Sequence, residues 1–314
     1  MVPHDEEKPK FTYSFETERQ ALLSTKALRG VPDKAEKKLL TATWNLTNFG
    51  VQNRSNDDLA LMAEVIGWFD LIAIQEIADD LSHLRLLMKN LPSTYKVIIS
   101  DIGGNDERAG FLYDSAKVER LELAAEVAVS PSDLHYIRMP EVSGSFQGFD
   151  RNPYLVAFQA GKLEFTAVCV HLFFGSNTYY DEDRRALEAY ALSRWADQCH
   201  KAPGAYSQNI LVMGDFNLPI LDEKSHVYKA LKANRLILPK HSTTMGSSLV
   251  DDKAYDQVAF QAGGMQDSYT SSGVFDFDNK PFFADAWKKS PDYFNTTVKY
   301  HVADHRPLWA EFKI

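Results

Sequence analysis

The chain of 314 residues contains only two cysteines, Cys169 within the apolar run 167–170 and Cys199 near the end of a predicted helix. Two cysteines placed in this way form neither a disulfide framework nor a cysteine-rich metal motif. No apolar run is long enough to cross a bilayer as a helix. We therefore expect both cysteines to be structural, and we expect no membrane span.

Positive charge is also scarce. Lysine and arginine number 34 against 43 aspartate and glutamate, which gives a formal net charge of −9. This balance argues against a protein that holds nucleic acid mainly through a basic surface, although a divalent cation in a site could offset the field locally. We expect the affinity for polyanions to be modest.

The first seven residues lack the basic start and the apolar core of a secretory signal. Two expectations about the compartment follow. The chain is cytoplasmic, or it is a mature secreted or periplasmic chain in which Met1 replaced the signal.

The remaining composition is ordinary for a soluble globular protein, with 45% hydrophobic and 25% charged residues. Residues 1–38 are polar and interrupted, and we interpret them as an N-terminal extension with a short amphipathic helix between Ser14 and Arg29. No linker with a shift in composition divides residues 39–314. We therefore predict a single domain over that range.

Short β-rich runs alternate with amphipathic segments along this domain. The predicted strands cover 39–46, 71–74, 95–99, 110–113, 118–129, 153–159, 163–170, 209–213 and 256–260, with a final strand that begins at Asp304 and His305. The predicted helices start at Asn56 and cover about 79–90, 181–199 and 225–233. The alternation indicates two sheets packed face to face with helices outside. The long irregular segment 130–152 is typical of a functional or disordered loop.

Polar residues stand where several of these runs end or begin. They are Asn45, Glu76, His171, Asp215, Asn217, Asp304 and His305. Carboxylates and amides are the ligands that Mg²⁺, Mn²⁺ and Ca²⁺ prefer, whereas a structural zinc site would favour Cys and His. Strand alternation would turn Asp215 and Asn217 to one side and Phe216 to the other. The sequence therefore predicts a site for a divalent cation with two histidines that move protons.

The order of these motifs resembles that of the endonuclease/exonuclease/phosphatase superfamily, and most of all that of deoxyribonuclease I-like nucleases. The matching runs are Trp44-Asn45, Gln75-Glu76, His171, 214–217 and Asp304-His305. The resemblance spans residues 39–314. It implies an α/β (α+β) four-layer sandwich of two mostly antiparallel sheets flanked by helices.

The resemblance also implies roles for individual residues. It places a divalent cation, Mg²⁺ or else Mn²⁺ or Ca²⁺, on Glu76 with Asn45 and Asp304, assisted by Asp215 and Asn217. It makes His305, oriented by Asp256, the base for the attacking water. It makes His171, paired with Glu107, the acid, and the two histidines could exchange roles. It assigns Arg151 to a phosphate oxygen. The implied activity is metal-dependent hydrolysis of a phosphodiester, with DNA favoured as substrate and RNA or single strands as further candidates.

The chain also departs from the deoxyribonuclease I pattern. Ala78 and Asn105 stand where that family has an arginine and a tyrosine that enter the DNA groove, and the family's disulfides are absent. Two alternatives therefore remain: a lipid or small-molecule phosphate as substrate, or a non-catalytic binding module, although no ligand position is altered. The aromatic residues at 173, 174, 179 and 180 could stack bases, touch lipid or anchor a loop. No protein partner is implied.

Overall fold

The computed structural model describes residues 10–250, 252–276 and 282–314. These ranges contain eleven strands: β1 Lys38–Phe49, β2 Leu71–Ala78, β3 Tyr95–Ile99, β4 Glu107–Asp114, β5 Glu119–Glu126, β6 Tyr154–Ala160, β7 Leu163–His171, β8 Ile210–Asp215, β9 Asp256–Phe260, β10 Tyr269–Val274 and β11 Leu308–Lys313.

Eight α-helices lie in the same ranges: α1 Phe15–Thr25, α2 Asn56–Ile66, α3 Ser82–Lys89, α4 Tyr179–Lys201, α5 His226–Ala233, α6 Gly264–Ser268, α7 Ala284–Trp287 and α8 Pro291–His301. Short 3₁₀ turns cover Lys26–Arg29, Gly104–Asp106 and Leu134–Tyr136. No helix of the described part is both long enough and apolar enough to cross a membrane.

Two sheets form the centre of the fold. One has the strand order β10-β11-β1-β2-β4-β3 and the other β5-β6-β7-β8-β9. Neighbouring strands are antiparallel except for the pairs β1–β2 and β7–β8, which are parallel. Parallel neighbours need a crossover connection, and α2 and α4 lie in these two crossovers. The sheets are therefore mixed, and mostly antiparallel as expected.

Apolar side chains divide the molecule into four layers. The facing sides of the sheets share one core, which includes Leu71, Phe111, Phe158, Phe165, Phe260 and Phe312. A second core joins the outer face of the six-stranded sheet to α2, α3 and α8, and a third joins the five-stranded sheet to α4 and α5. The predicted sandwich of two sheets between helices is confirmed.

The segment before β1 packs against the outer layer of the six-stranded sheet. Leu22 of α1 is fully buried in that core, and the Tyr13 hydroxyl donates to Asp58 Oδ1 at 2.6 Å. The His301 ring lies 2.7 Å from the same oxygen, so Asp58 joins this segment to both α2 and α8. Residues 1–9 of the predicted extension lie outside the described residues.

Most predicted elements are present, with shifts of one to a few residues at their ends. The predicted start of the final strand is wrong, because Asp304 and His305 lie in the turn before β11. Arg306 N donates to Ser247 O and Leu249 N donates to Asp304 O, so this turn pairs with the 247–249 loop. Pro307 follows without an amide hydrogen to donate, and the regular ladder begins at Leu308.

Candidate active site

The carboxyl ends of the two parallel strand pairs lie at one rim of the sandwich. Asn45 and Glu76 come from β1 and β2, and His171 and Asp215 are the last residues of β7 and β8 and face each other in register. Gly214 permits this pairing, since a Cβ there would lie 2.0 Å from the carbonyl oxygen of Val170. The rim therefore receives polar residues from the centre of both sheets.

One buried amide connects the two sheets at this rim. Asn45 Nδ2 donates to Glu76 Oε1 at 2.8 Å and to Asp215 Oδ2 at 3.1 Å. Its Oδ1 accepts the backbone N–H of Thr47 at 2.9 Å. Glu76 adopts a positive φ of 59° where the β2–β4 register shifts, which turns it out of the regular strand. The amide thus holds two carboxylates from different sheets side by side.

A turn at the end of β1 supplies two contacts that the sequence analysis missed. Thr47 and Asn48 both have left-handed backbones, with φ of 51° and 48°. The Thr47 hydroxyl donates to Asp304 Oδ1 at 2.6 Å, and the Asn48 amide donates to Glu76 Oε2 at 2.7 Å. The run Asn45-Leu46-Thr47-Asn48 carried a signal, because Asn tolerates this conformation better than most residues. The turn holds both carboxylates of the predicted metal side.

His305 forms a pair with Asp256. His305 Nδ1 lies 2.6 Å from Asp256 Oδ2, and its Nε2 lies 4.0 Å from Asp215 Oδ2 and 4.0 Å from Asp304 Oδ1. Trp44 Nε1 donates to the His305 carbonyl at 2.9 Å and fixes its backbone. Burial alone would favour the neutral ring, but the charges of Asp256 and its carboxylate neighbours outweigh it and raise the pKa of His305 well above its usual value.

His171 forms a second pair with Glu107. The distance from His171 Nδ1 to Glu107 Oε2 is 3.0 Å, and its Nε2 lies 3.8 Å from Asp215 Oδ2 and 4.0 Å from Glu76 Oε1. Burial would raise the pKa of Glu107, but contact with His171 outweighs it and lowers that pKa. In the same way the two imidazoles overcome burial and lower the pKa of Asp215. Asp215 therefore lies between two rings, each backed by a carboxylate.

Arg151 is mostly occupied inside the protein. Its Nε donates to the His171 carbonyl at 3.1 Å, and its terminal nitrogens donate to Leu172 O at 3.3 Å and Asp150 Oδ2 at 3.0 Å. Arg185, which the sequence analysis did not single out, binds the carbonyls of 173, 174 and 217 in a similar way. Both arginines therefore fix the backbone that follows His171.

Asn217 lies in a turn, since β8 ends at Asp215, and strand alternation does not continue as predicted. Its φ is 49°, its amide donates to Asp215 Oδ1 at 2.7 Å, and its Nδ2 donates to the Leu172 carbonyl at 2.8 Å. Phe216 is fully buried, as the alternation suggested. The contacts of Asn217 hold Asp215 and the segment after His171 together.

The donor chemistry of the rim fits a divalent cation. Asp215 lies near both imidazoles, Glu76 lies near His171 and Asp304 lies near His305, and such carboxylate oxygens are hard ligands. Asp215, Asp256 and His305 form a grouping whose ligand atoms all lie within 4.8 Å of one another. Asp256, however, contacts the Nδ1 of His305, on the ring edge opposite to Nε2. One cation therefore cannot bind both residues while their hydrogen bond is kept.

Comparison with known proteins identifies the fold. No family model matches the chain, and no curated protein matches it. Among solved structures it is similar to the endonuclease/exonuclease/phosphatase from Bacteroides vulgatus, with 16% identity over 88% of this chain and 99% of that one and a TM-score of 0.57.

Two further similar structures are the mannosyl-6-phosphatase Bt3783 of Bacteroides thetaiotaomicron and D. rerio TDP2 in complex with a single-strand DNA product. The phosphatase shares 15% identity over 88% of this chain and all of that one, with a TM-score of 0.53. TDP2 shares 14% identity over 88% and 99%, with a TM-score of 0.54. The chain has the endonuclease/exonuclease/phosphatase fold, as the sequence resemblance implied.

Proposed function

We propose that this chain, with its endonuclease/exonuclease/phosphatase fold, is a divalent-metal-dependent hydrolase of phosphoesters. The observation that carries the proposal is the Asn45 amide between Glu76 and Asp215, with a histidine–carboxylate pair on either side of Asp215. Carboxylates that hold a cation, next to two rings that can carry protons, are the groups that hydrolysis of a phosphoester requires.

Glu76, Asp304 and Asn45 would hold the cation, with Asp215 and Asn217 beside them. A cation bound there would offset negative charge on the phosphoryl oxygens. Asn45 keeps Glu76 and Asp215 apart at fixed distances, and the turn at 47–48 orients the carboxylates. Arg151 would contact a phosphoryl oxygen through N–H groups that its three internal hydrogen bonds leave over.

The two histidines would act as acid and base. In the assignment implied by the resemblance, His305 accepts a proton from the attacking water and His171 donates one to the leaving oxygen. The raised pKa of His305 counts for the reverse assignment, in which His305 is the donor. The pH–rate profiles of the two alanine variants distinguish them, because removal of the base abolishes the acidic limb and removal of the acid abolishes the basic limb.

DNA is the substrate class we propose first, because the motif order resembles deoxyribonuclease I and TDP2 of similar fold was solved with a DNA product. A small-molecule phosphate is the second candidate. Ala78, at the position of a groove-reading arginine, is buried and cannot reach a duplex, and a phosphatase is among the proteins of similar fold. Both features favour single strands or small phosphates over duplex DNA.

A substrate panel tests the proposal. Plasmid DNA, single-stranded DNA, RNA, a sugar phosphate, sphingomyelin and a generic phosphodiester are each incubated with Mg²⁺, Mn²⁺ or chelator. We expect hydrolysis of at least one compound that chelator abolishes, and a loss of about two orders of magnitude or more in Glu76→Gln.

Glu119→Gln, an exposed position on β5, is the matched control and should retain full activity. Absence of hydrolysis of every compound, with either metal, would favour the non-catalytic binding module.

A further inference from the structure

A buried arginine lies behind the turn that holds the metal-side carboxylates. Arg54 stands between β1 and α2, and its side chain is only 3% exposed. One terminal nitrogen donates to the carbonyls of Leu46 and Thr47, each at 2.9 Å, and lies 3.5 Å from the carbonyl of Lys299. Within the described ranges its other two nitrogens have no hydrogen-bond partner. The guanidinium also lies over the Phe49 ring, 5.6 Å from its centroid, so its hydrogen bonds go to backbone oxygens and its flat face to an aromatic ring.

These carbonyls belong to the segments that orient Glu76 and Asp304. Leu46 precedes the left-handed turn at Thr47 and Asn48, in which the Thr47 hydroxyl binds Asp304 and the Asn48 backbone amide binds Glu76. Lys299 lies in the last turn of α8, five residues before Asp304. A left-handed backbone at non-glycine residues persists only where the surroundings hold it. Arg54 supplies such contacts through the carbonyls of Leu46 and Thr47.

The charge of Arg54 also acts on the rim. Burial lowers its pKa to about 10, so the side chain remains a cation at neutral pH. The carboxylates of Asp58, Asp304 and Glu76 are the charges that favour this cation. A buried charge without a carboxylate contact lowers the stability of the fold unless nearby groups compensate it. If packing were the only role of residue 54, an apolar side chain would fill the same space with a smaller loss of stability.

We infer that Arg54 is a positioning residue, which fixes Glu76 and Asp304 relative to each other by holding the carbonyls of the 46–47 turn and of α8. The inference rests on the proposed function, since it assigns Arg54 to the cation-binding side of that site. Arg54 touches neither substrate nor cation in this arrangement and acts only through the two carboxylates.

The test measures cation affinity directly. Full-length Arg54→Lys and Arg54→Met are titrated with Mn²⁺ by calorimetry, and their fold is checked by circular dichroism and melting temperature. Because positioning partners of metal ligands commonly contribute 10- to 100-fold to affinity, we expect the Mn²⁺ Kd to rise about tenfold or more in Arg54→Met. Arg54→Lys keeps the charge but not the planar guanidinium, so its Kd for Mn²⁺ should lie between those of Arg54→Met and the wild type.

Arg29→Met is the matched control. Arg29 is as deeply buried and also binds a backbone carbonyl, that of Asp276, and its hydrogen bonds within the described ranges, to Thr25 and Asp276, lie outside the site. It should lose stability while its Mn²⁺ Kd stays unchanged. This control distinguishes the effect of losing any buried arginine from the effect of losing the contacts that position Glu76 and Asp304.

Three outcomes would overturn the inference. The first is an Mn²⁺ Kd within twofold of wild type in both Arg54 variants, and the second is failure of both variants to fold. The third is tighter binding of Mn²⁺ by Arg54→Met, which would mean that Arg54 acts only as a repelling charge. The proposed function fails separately if the wild type binds no Mn²⁺, or if Glu76→Gln does not weaken the binding of Mn²⁺.

Discussion

The two histidine–carboxylate pairs differ in how their acids are held. Asp256 is the first residue of β9, its side chain is fully buried, and its backbone amide donates to the Ser247 hydroxyl. Glu107 is likewise the first residue of β4, but it follows Asn105 and Asp106, both with left-handed backbones, and its side chain is 15% exposed. A fully buried partner has little freedom, whereas a partly exposed partner moves more readily with the loop before it.

This difference predicts a division of labour on the rim. The His305 pair is held by the fully buried Asp256, by Trp44 and by the 247–249 loop. The His171 pair depends on segments that Arg151, Arg185 and other side chains of the outer layer hold in place. We therefore expect changes in the first pair to reduce catalysis itself, and changes in the second to reduce it less and to depend more on conditions.

The largest effect is expected from removal of the rings. His305→Ala should lower kcat about 10⁴-fold and His171→Ala about 10²-fold, within the range for acid–base groups. His200→Ala, whose ring contacts only a backbone carbonyl far from the rim, should match the wild type. Equal losses of kcat in His305→Ala and His171→Ala would contradict the expected difference between the two histidine–carboxylate pairs.

The carboxylate partners come next. Asp256→Asn should lower kcat on the order of 10²-fold, because the neutral amide no longer stabilises a protonated ring and can turn an N–H toward it, which favours the wrong tautomer. Glu107→Gln should lower kcat about tenfold, since this partly exposed side chain can reorient and keep its amide oxygen on the ring. Steady-state kinetics on both variants, with melting temperatures as controls for folding, test the ranking. A larger loss in Glu107→Gln would reverse it.

A smaller effect concerns stability on the His171 side. Glu188 of α4 accepts the backbone amides of Asp150 and Phe173, and burial raises its pKa to about 7. The folded protein therefore binds this proton more tightly than the unfolded chain, and stability falls as pH rises from about 4.5 to about 7, by up to about 3 kcal/mol.

Melting temperatures between pH 5 and pH 8 measure this dependence. We expect the wild type to lose stability over that interval and Glu188→Gln, which cannot titrate, to show a flatter profile. Parallel profiles of the two proteins would contradict the assignment.

The smallest expected effect concerns stability on the His305 side of the rim. Thr47→Val removes the hydroxyl that donates to Asp304 Oδ1 and accepts the backbone amide of Asp304, but keeps the shape of the side chain. Loss of these two hydrogen bonds should lower the free energy of unfolding by about 2 kcal/mol. Chemical denaturation measures it, and Thr296→Val on the exposed face of α8, whose hydroxyl binds only its own helix, is the control with a smaller change.

The sequence was informative where local patterns decide structure. β3 and β9 have the predicted bounds, because apolar runs between turn signals fix short buried strands. β10 was missed because Thr270, Ser271, Ser272 and Gly273 carry no apolar alternation, and its place follows from pairing with β11. α8 was missed although Ser290 and Pro291 form a recognisable helix start, since its interior contains Asn and Thr.

The site was predictable in part for the same reason. The ordered polar motifs named the residues that the structure brings to one rim, including both partners of the histidines. Arg54 had no such signal, because its function depends on a carbonyl 245 residues away in α8. The turn at 47–48 depends likewise on Asp304, and contacts between residues so far apart along the chain leave no local pattern.

The place of β11 has a consequence for how the protein is made. Leu308–Lys313 lies between β10 and β1 and pairs with both. During synthesis on the ribosome, β1 therefore has one unpaired edge until residues 308–313 have been translated. Such long-range pairing slows folding and exposes intermediates to aggregation. We expect nascent chains that stop before residue 308 to require chaperones to stay soluble, even though every other strand is already present.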